Sequence, residues 1–341
     1  MAQLSYPFDV IKEFAVASAI FGLYSAGVLE PFEHDIDHVL DPDAVAEQRG
    51  LSPRITRGLI EYLTRREYFE SAGDGRFRLA PLGKELIAGK FLGNFVFMIG
   101  GYGKVLASAG ELLTGKIEYG KDLRRNGHFV ALGSQLQGQH PRYNSFSTVL
   151  ETVRASMQPA SILDIGCGSA DFLIRLVKSC DAKAGIGIDL DHASCELARS
   201  NVASANLSSS IRILDGNACA PVEVDPSLEG SVDLVTAMFI IHEFFKPGSR
   251  RVIDALRGIA RVLRPGTGRL LIMDKQTDVL DRGDAPPYFC EFKLVHDLTN
   301  QTLVDNATWK QTLHEAGLEL TEEKILSPLS GTVQFVCRVA A

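Results

Sequence analysis

Ile162 to Asp171 reads ILDIGCGSAD, and Gly185 to Asp189 reads GIGID. An apolar run enters a Gly-x-Gly turn, and a second apolar segment ends in a carboxylate 21 residues after Gly168. That spacing predicts a strand, a tight glycine turn, a helix and a second parallel strand. Such a unit commits the chain to an open α/β sheet with a nucleoside-bearing cofactor at the turn. A dinucleotide fingerprint requires Gly or Ala at position 171, where helix and sheet approach closely, and this chain has Asp171. NAD and FAD are therefore disfavoured.

The turn resembles motif I of the class I S-adenosylmethionine-dependent methyltransferases. The resemblance implies a cofactor site of Asp164, Gly166 and Gly168 under the methionine end, with Asp189 accepting the ribose hydroxyls and Leu190 beside it. Ile211 to Leu214 reads as a third strand ending in Asp215-Gly216-Asn217. The family commonly carries an acidic residue there for the adenine amino group. Asp215 and Asn217 both qualify, because Asn also accepts through its oxygen. Val232 to Met238 reads as the fourth strand and runs out into Phe239, His242 and Glu243. Ligands of wound sheets lie beyond the carboxyl ends of strands, so these residues fall beside the sulfonium methyl. A helix over Gly248 to Leu263, a strand over Gly268 to Met273 with Asp274 and Lys275 at its end, a helix over Trp309 to Ala316 and an alternating strand over Gly331 to Val339 complete the pattern. The fold class expected is α/β: a Rossmann-like class I methyltransferase domain over residues 158–341.

At 341 residues the chain has room for a second domain, and 45% apolar with 23% charged residues is ordinary globular composition. Met1 to Asp9 has no basic n-region, and the apolar-rich Phe14 to Leu29 is broken by Ser18, Gly22, Ser25 and Gly27. Neither a signal peptide nor a spanning helix is expected. The six cysteines form no CxxC pair, which reads as free thiols in a reducing cytoplasm. A net charge of −7 argues against a general affinity for nucleic acid.

Residues 1–95 predict a small helical domain with a wing. Phe8 to Leu29 has near-helical apolar spacing; Asp43 precedes a helix that Gly50 stops; Ser52-Pro53 starts the next. Tyr68-Phe69 and Phe77 to Leu79 then flank the turn Gly73-Asp74-Gly75. Arg54, Arg57, Arg65 and Arg66 are offset by Glu61 and Glu67, which disfavours DNA reading. The arrangement resembles the N-terminal dimerisation domain of plant-type O-methyltransferases, which implies a homodimer. Residues 96–157 form a glycine-interrupted helical connector expected to wall a substrate pocket, with Arg124, Arg125, His128, Gln135 and Gln137 as its polar candidates.

His242 stands where the plant-type enzymes keep a general-base histidine, which on that analogy alone implies O-methylation. A second cluster shifts the preference. In CEFKLVHDLTNQ, from Cys290 to Gln301, His296 and Asn300 are spaced by four on a helix that again lies on the carboxyl side of the sheet. The pair IIHEF and HDLTNQ resembles the metal-dependent 2-oxo acid C-methyltransferases of nonribosomal peptide biosynthesis, related to phenylpyruvate C3-methyltransferase. The resemblance implies His242 and His296 as ligands of a non-haem metal, Fe or Zn. Glu243 is then a third ligand, an outer partner or the base, with the same choice open for Asp297. A carbon acid such as C3 of a 2-oxo acid is too weak for a near-neutral base acting alone, which is why a metal would help. Phe239, Phe244, Phe245, Tyr288 and Phe289 suit an apolar acceptor better than a guanidino one.

Overall fold

The computed structural model describes residues 7–139, 145–246, 249–282, 289–327 and 330–340. It divides into two compact units, residues 1–103 with 132–143, and 104–131 with 144–341. The connector expected over 96–157 is thus shared between them.

In the first unit, α1 (Pro7–Ser25) ends before Gly27, whose φ of 75° turns the chain. Asp41 caps α2 (Pro42–Arg49) by accepting from the backbone of Asp43 and Ala44, and Gly50 closes it in the left-handed region at φ 65°. After α3 (Pro53–Thr64), β1 (Phe69–Gly73) and β2 (Arg76–Leu79) pair antiparallel with Phe69 opposite Leu79. The order helix, helix, hairpin matches the sequence pattern. Ile20, Leu23, Phe32, Ile60, Leu63 and Phe69 fill the core beneath it. Among the described residues no single helix is long and apolar enough to cross a membrane.

The second unit begins with residues 104–131, which include the first turn of α4 (Gly127–Gly138), and resumes at α5 (Ser145–Ser156). Its sheet is built from β3 (Ser161–Ile165), β4 (Ala184–Asp189), β5 (Ile211–Asp215), β6 (Leu234–Met238) and β7 (Arg269–Lys275), all parallel. The connecting helices include α6 (Asp171–Cys180), α7 (His192–Ser204) and α8 (Arg251–Ala260); α9 (Phe289–Leu298) and α10 (Asn306–Glu315) follow β7. Gly248 and Tyr288, included in the sequence expectations, lie outside the described residues.

Two antiparallel strands, β8 (Leu318–Ser327) and β9 (Thr332–Val339), finish the sheet in the order β5-β4-β3-β6-β7-β9-β8. β9 enters between β7 and β8, so the mixed sheet has the class I methyltransferase arrangement. The winding direction reverses between β3 and β6, which places the ligand crevice at their carboxyl ends. Strands buried on both faces carry continuous apolar runs, as Leu163, Ile165, Val235 and Ile272, all fully buried, show. Each contributes about 1.5–3 kcal/mol of burial. Trp309 on α10 anchors one face, wedged between the rings of Phe245 and Phe335, with its indole N–H donated to the Lys275 carbonyl at 3.0 Å.

Candidate active site

The cofactor crevice is shaped first by backbone. Gly166 and Gly168 take φ values of 64° and 53°, in the region that disfavours a side chain. A Cβ on Gly166 would stand 2.6 Å from Ile240, while one on Gly168 would meet Ala131 at 3.7 Å. Asp189 folds back over this turn. One of its oxygens accepts the Gly168 N–H at 2.9 Å and the other the Asp191 N–H at 2.9 Å. Burial raises the Asp189 carboxyl above its ordinary range, and the two backbone N–H groups pull against that rise.

Asp164 is buried in the sheet and accepts the Thr236 hydroxyl at 2.6 Å, with burial pushing its pKa up to about 7. Leu190 projects its apolar side chain outward at 73% exposure, immediately after Asp189. Asp215 is bound by Arg199 and by His192 Nδ1, which hold its carboxyl below the usual range. The Gly216 N–H donates to the Asp189 carbonyl at 2.9 Å, and Asn217 commits its side-chain oxygen to the Cys219 N–H at 3.1 Å. The structure therefore gathers Gly166, Gly168, Asp189 and Gly216 around one crevice through direct hydrogen bonds and sterics. α4 begins against the same crevice, since a side chain on Gly127 would run into the Asp191 carboxylate.

At the end of β6 the chain turns through Phe239, which takes a left-handed φ of 54° and donates its N–H to the Met273 carbonyl at 2.7 Å. A single 3-10 turn over Ile241–Phe244 then presents His242. Asp274, at the end of the neighbouring strand, accepts the His242 backbone N–H at 3.0 Å and its Nδ1–H at 2.6 Å. His296 comes from α9 and donates its Nδ1–H to the Phe292 carbonyl at 2.5 Å. The two imidazoles meet through their Nε2 atoms, 2.9 Å apart, and both are 2% exposed. Phe292 flanks both rings, with centroids 4.1 Å from His296 and 5.8 Å from His242.

This geometry fixes the protons. A carboxylate and a carbonyl only accept, so each Nδ1 carries a hydrogen. Burial, then the neighbouring His242, hold the His296 pKa well below its ordinary value, so His296 is neutral. A separation of 2.9 Å between the Nε2 atoms is met by one hydrogen shared between the rings, and a cation held by both would meet it as well. Nδ1 atoms held by a carboxylate and a carbonyl are the usual outer support of metal-ligating histidines. Two buried imidazoles supported in this way are donors that a non-haem metal could use.

Glu243 is engaged elsewhere. Its carboxylate pairs with Arg125 at 2.6 Å, and both side chains are about one-fifth exposed. Asp297 pairs outward with Lys293 at 2.6 Å. Among the described residues no group of three or more His, Cys, Asp or Glu side chains is gathered where it could hold a metal ion. The two-His-one-carboxylate face considered for Glu243 is therefore not assembled, because the Arg125 guanidinium holds that carboxylate. Of the other connector candidates, Arg124 donates to the Gly120 carbonyl at 3.1 Å and His128 stacks edge-on to Phe129.

The sequence places Asp274 at the end of its strand but gives it no role in the site. Its signal is a charge directly after the buried run Leu270 to Met273, at the carboxyl end of a central strand. Arg125 was among the connector candidates, but its pairing with Glu243 had no sequence signal, because the two lie far apart in the chain.

Comparison with known proteins gives a consistent picture. Residues 162–266 match the family described as Methyltransferase domain. The chain is 25% identical over 325 residues to the 2-ketoarginine methyltransferase of Streptomyces arginensis, covering 93% of this chain and 89% of that protein. The structure of the mitomycin 7-O-methyltransferase MmcR aligns with a TM-score of 0.65 at 18% identity, over 97% of this chain and 96% of that one. The structure of PigF with SAH aligns with a TM-score of 0.66 at 14% identity, over 98% and 99% of the two chains.

Proposed function

We propose that the chain, an S-adenosylmethionine-dependent methyltransferase of class I fold, methylates C3 of a 2-oxo acid with the help of a metal held by His242 and His296. One observation carries the reading: the convergence of the two Nε2 atoms at 2.9 Å with both Nδ1 atoms committed to acceptors behind them. A simple oxygen methylation needs one histidine. The 2-ketoarginine methyltransferase, similar along most of both chains, supports a 2-oxo acid as acceptor.

A bound metal would supply Lewis-acid polarisation of the acceptor's carboxylate and 2-oxo group, which makes the C3 proton acidic enough to leave. The residues of the chain do the rest. Asp274 and the Phe292 carbonyl keep both Nδ1 atoms protonated and both Nε2 atoms aimed at one point. Glu243, beside His242 in the same turn and oriented by Arg125, takes the proton from C3. The C3 electron pair forms the new bond to the methyl carbon as the methyl–sulfur bond breaks, and that pair goes to sulfur, leaving S-adenosylhomocysteine and the 3-methyl-2-oxo acid. Phe239, Gly166, Gly168, Asp189 and Leu190 hold the cofactor, with Asp215, Gly216 or Asn217 near its adenine. Phe292 packs against both rings and walls the histidine pair on one side.

The product is a precursor of β-methylated amino acids for nonribosomal peptides. The working unit is a homodimer: Phe8, Ile11 and Phe14 of α1 form a stripe of rings and branched chains 63–69% exposed, a face that a second copy would cover.

A second reading has its own support. Asp274 behind His242 is also the arrangement of an oriented general base, which would serve O-methylation of a phenol. Metal analysis of protein purified without an immobilised-metal column, with methyl transfer to 2-oxo acids and catechols before and after chelation, separates the two. Near-stoichiometric metal and chelator-sensitive C-methylation is the expected result. Metal-free protein that methylates catechols would replace the proposal with the second reading.

A further inference from the structure

Phe239 has an unfavourable backbone for a bulky residue, with φ of 54°. Residues held this way persist only where their surroundings fix them. Its N–H is tied to the Met273 carbonyl at 2.7 Å, its ring meets Phe146 edge-on with centroids 5.9 Å apart, and the ammonium of Lys275 lies 5.5 Å from its centroid.

Lys275 is itself closely held. Its Nζ donates to the Ser330 carbonyl and to the Thr332 hydroxyl, each at 2.8 Å, and those two residues are joined to one another through their hydroxyls at 2.8 Å. In register, Lys275 stands directly opposite Thr332 across the β7–β9 pair. An ammonium has three N–H groups. Here two oxygens and an aromatic face receive them, and no carboxylate accepts from it among the described residues.

We propose that Lys275 is a positioning residue for the cofactor: it links the start of β9 to the Phe239 ring and so fixes the strained turn at the carboxyl end of β6. The inference rests on the reading that Phe239 lines the cofactor crevice and is independent of the acceptor. Charge matters to it, because an ammonium is drawn to the face of a ring and a neutral amine is not. Burial lowers the Lys275 pKa to about 8, opposed by Asp274, its neighbour on β7. Thr332 and Gln334 of β9, Ser330 just before it, Phe239 just after β6 and Phe146 of α5 lie on this side, and none of them titrates in this range. The link is therefore intact below pH 8 and weakens as pH rises through it.

The test is calorimetric binding of S-adenosylhomocysteine to the full chain from about pH 6.5 to about pH 9.5, which brackets the titration. Wild type should lose about fivefold in affinity across that range, within the strength of an ammonium–ring contact. Lys275→Met should bind about fivefold more weakly at the low end and lack the step near pH 8. Lys275→Arg, always charged, should bind well throughout. Phe239→Ala guards the premise: if it binds as wild type does, the ring does not line the crevice and the reading beneath the inference fails. If Phe239→Ala weakens binding while Lys275→Met keeps both wild-type affinity and the wild-type pH step, the Lys275 assignment alone is overturned. Should Lys275→Met not fold, a wild-type titration without a step near pH 8 overturns it equally.

Discussion

Asp274 holds His242 at two points, accepting the backbone N–H with one carboxylate oxygen at 3.0 Å and the ring Nδ1–H with the other at 2.6 Å. Orientation and tautomer are thereby set by one buried side chain. Asp274→Asn keeps the shape but can offer its amide hydrogen to Nδ1, which moves the ring proton to Nε2 and turns that atom away from ligation. Metal content and turnover should both fall, by roughly 10–100-fold in metal affinity. Metal titration of the purified variant measures it, and an unchanged affinity would remove Asp274 from the site.

The buried carboxyl of Asp164 makes folding pH-dependent. Its pKa is raised from 3.8 to about 7 in the folded chain, so the folded state retains a proton that the unfolded state has released. The contribution of Asp164 to stability is therefore greatest below about pH 4, declines as pH rises towards 7 and is level above that, by about 2–4 kcal/mol in all. Asp164→Asn cannot ionise. Its melting temperature relative to wild type should be several degrees more favourable at pH 8 than at pH 5, and an equal difference at both would show that Asp164 does not titrate on folding.

Gly166 and Gly168 share a left-handed backbone but differ in space, with a Cβ meeting Ile240 at 2.6 Å in one case and Ala131 at 3.7 Å in the other. Both alanine variants carry a conformational cost of about 1–2 kcal/mol. Only Gly166→Ala must also displace Ile240 and, with it, the turn leading to His242. It should lose S-adenosylhomocysteine binding and turnover at least tenfold more severely than Gly168→Ala, as measured side by side. Equal losses would show that backbone strain alone governs the turn.

Gln334 is fully buried, and neither atom of its amide has a hydrogen-bond partner among the described residues. Such a group is destabilising by about 1–3 kcal/mol. Gln334→Met, nearly the same shape without the polar atoms, should raise unfolding stability by about that amount with no change in the denaturant slope. A loss of stability in urea unfolding would mean that the amide is bonded in solution.

The wound half of the chain was legible because its strands are short buried apolar runs ending in Gly, Asp or Asn, and those signals are local. The order β3 to β7 and the ends carrying Asp189, Asp215 and His242 follow from them. β8 escaped detection since it is an edge strand whose central residues Thr321 to Lys324 are polar and largely exposed, leaving little alternation to read. His242 and His296 were each visible through residue type and helical spacing. Their mutual aim was not, because it depends on Asp274 and on the Phe292 carbonyl, and the backbone acceptor leaves no trace in side-chain identity. The engagement of Glu243 by Arg125 was hidden for a related reason: it joins residues from distant parts of the chain.

The insertion of β9 between β7 and β8 bears on the order in which the protein is made. His242, Asp274 and His296 all leave the ribosome before Thr332 does. Until that strand arrives, β7 is an open sheet edge, and the lysine beside Asp274 has neither of its two oxygen acceptors. A nascent chain can thus contain every residue of its histidine centre before the strand that covers β7 has been made.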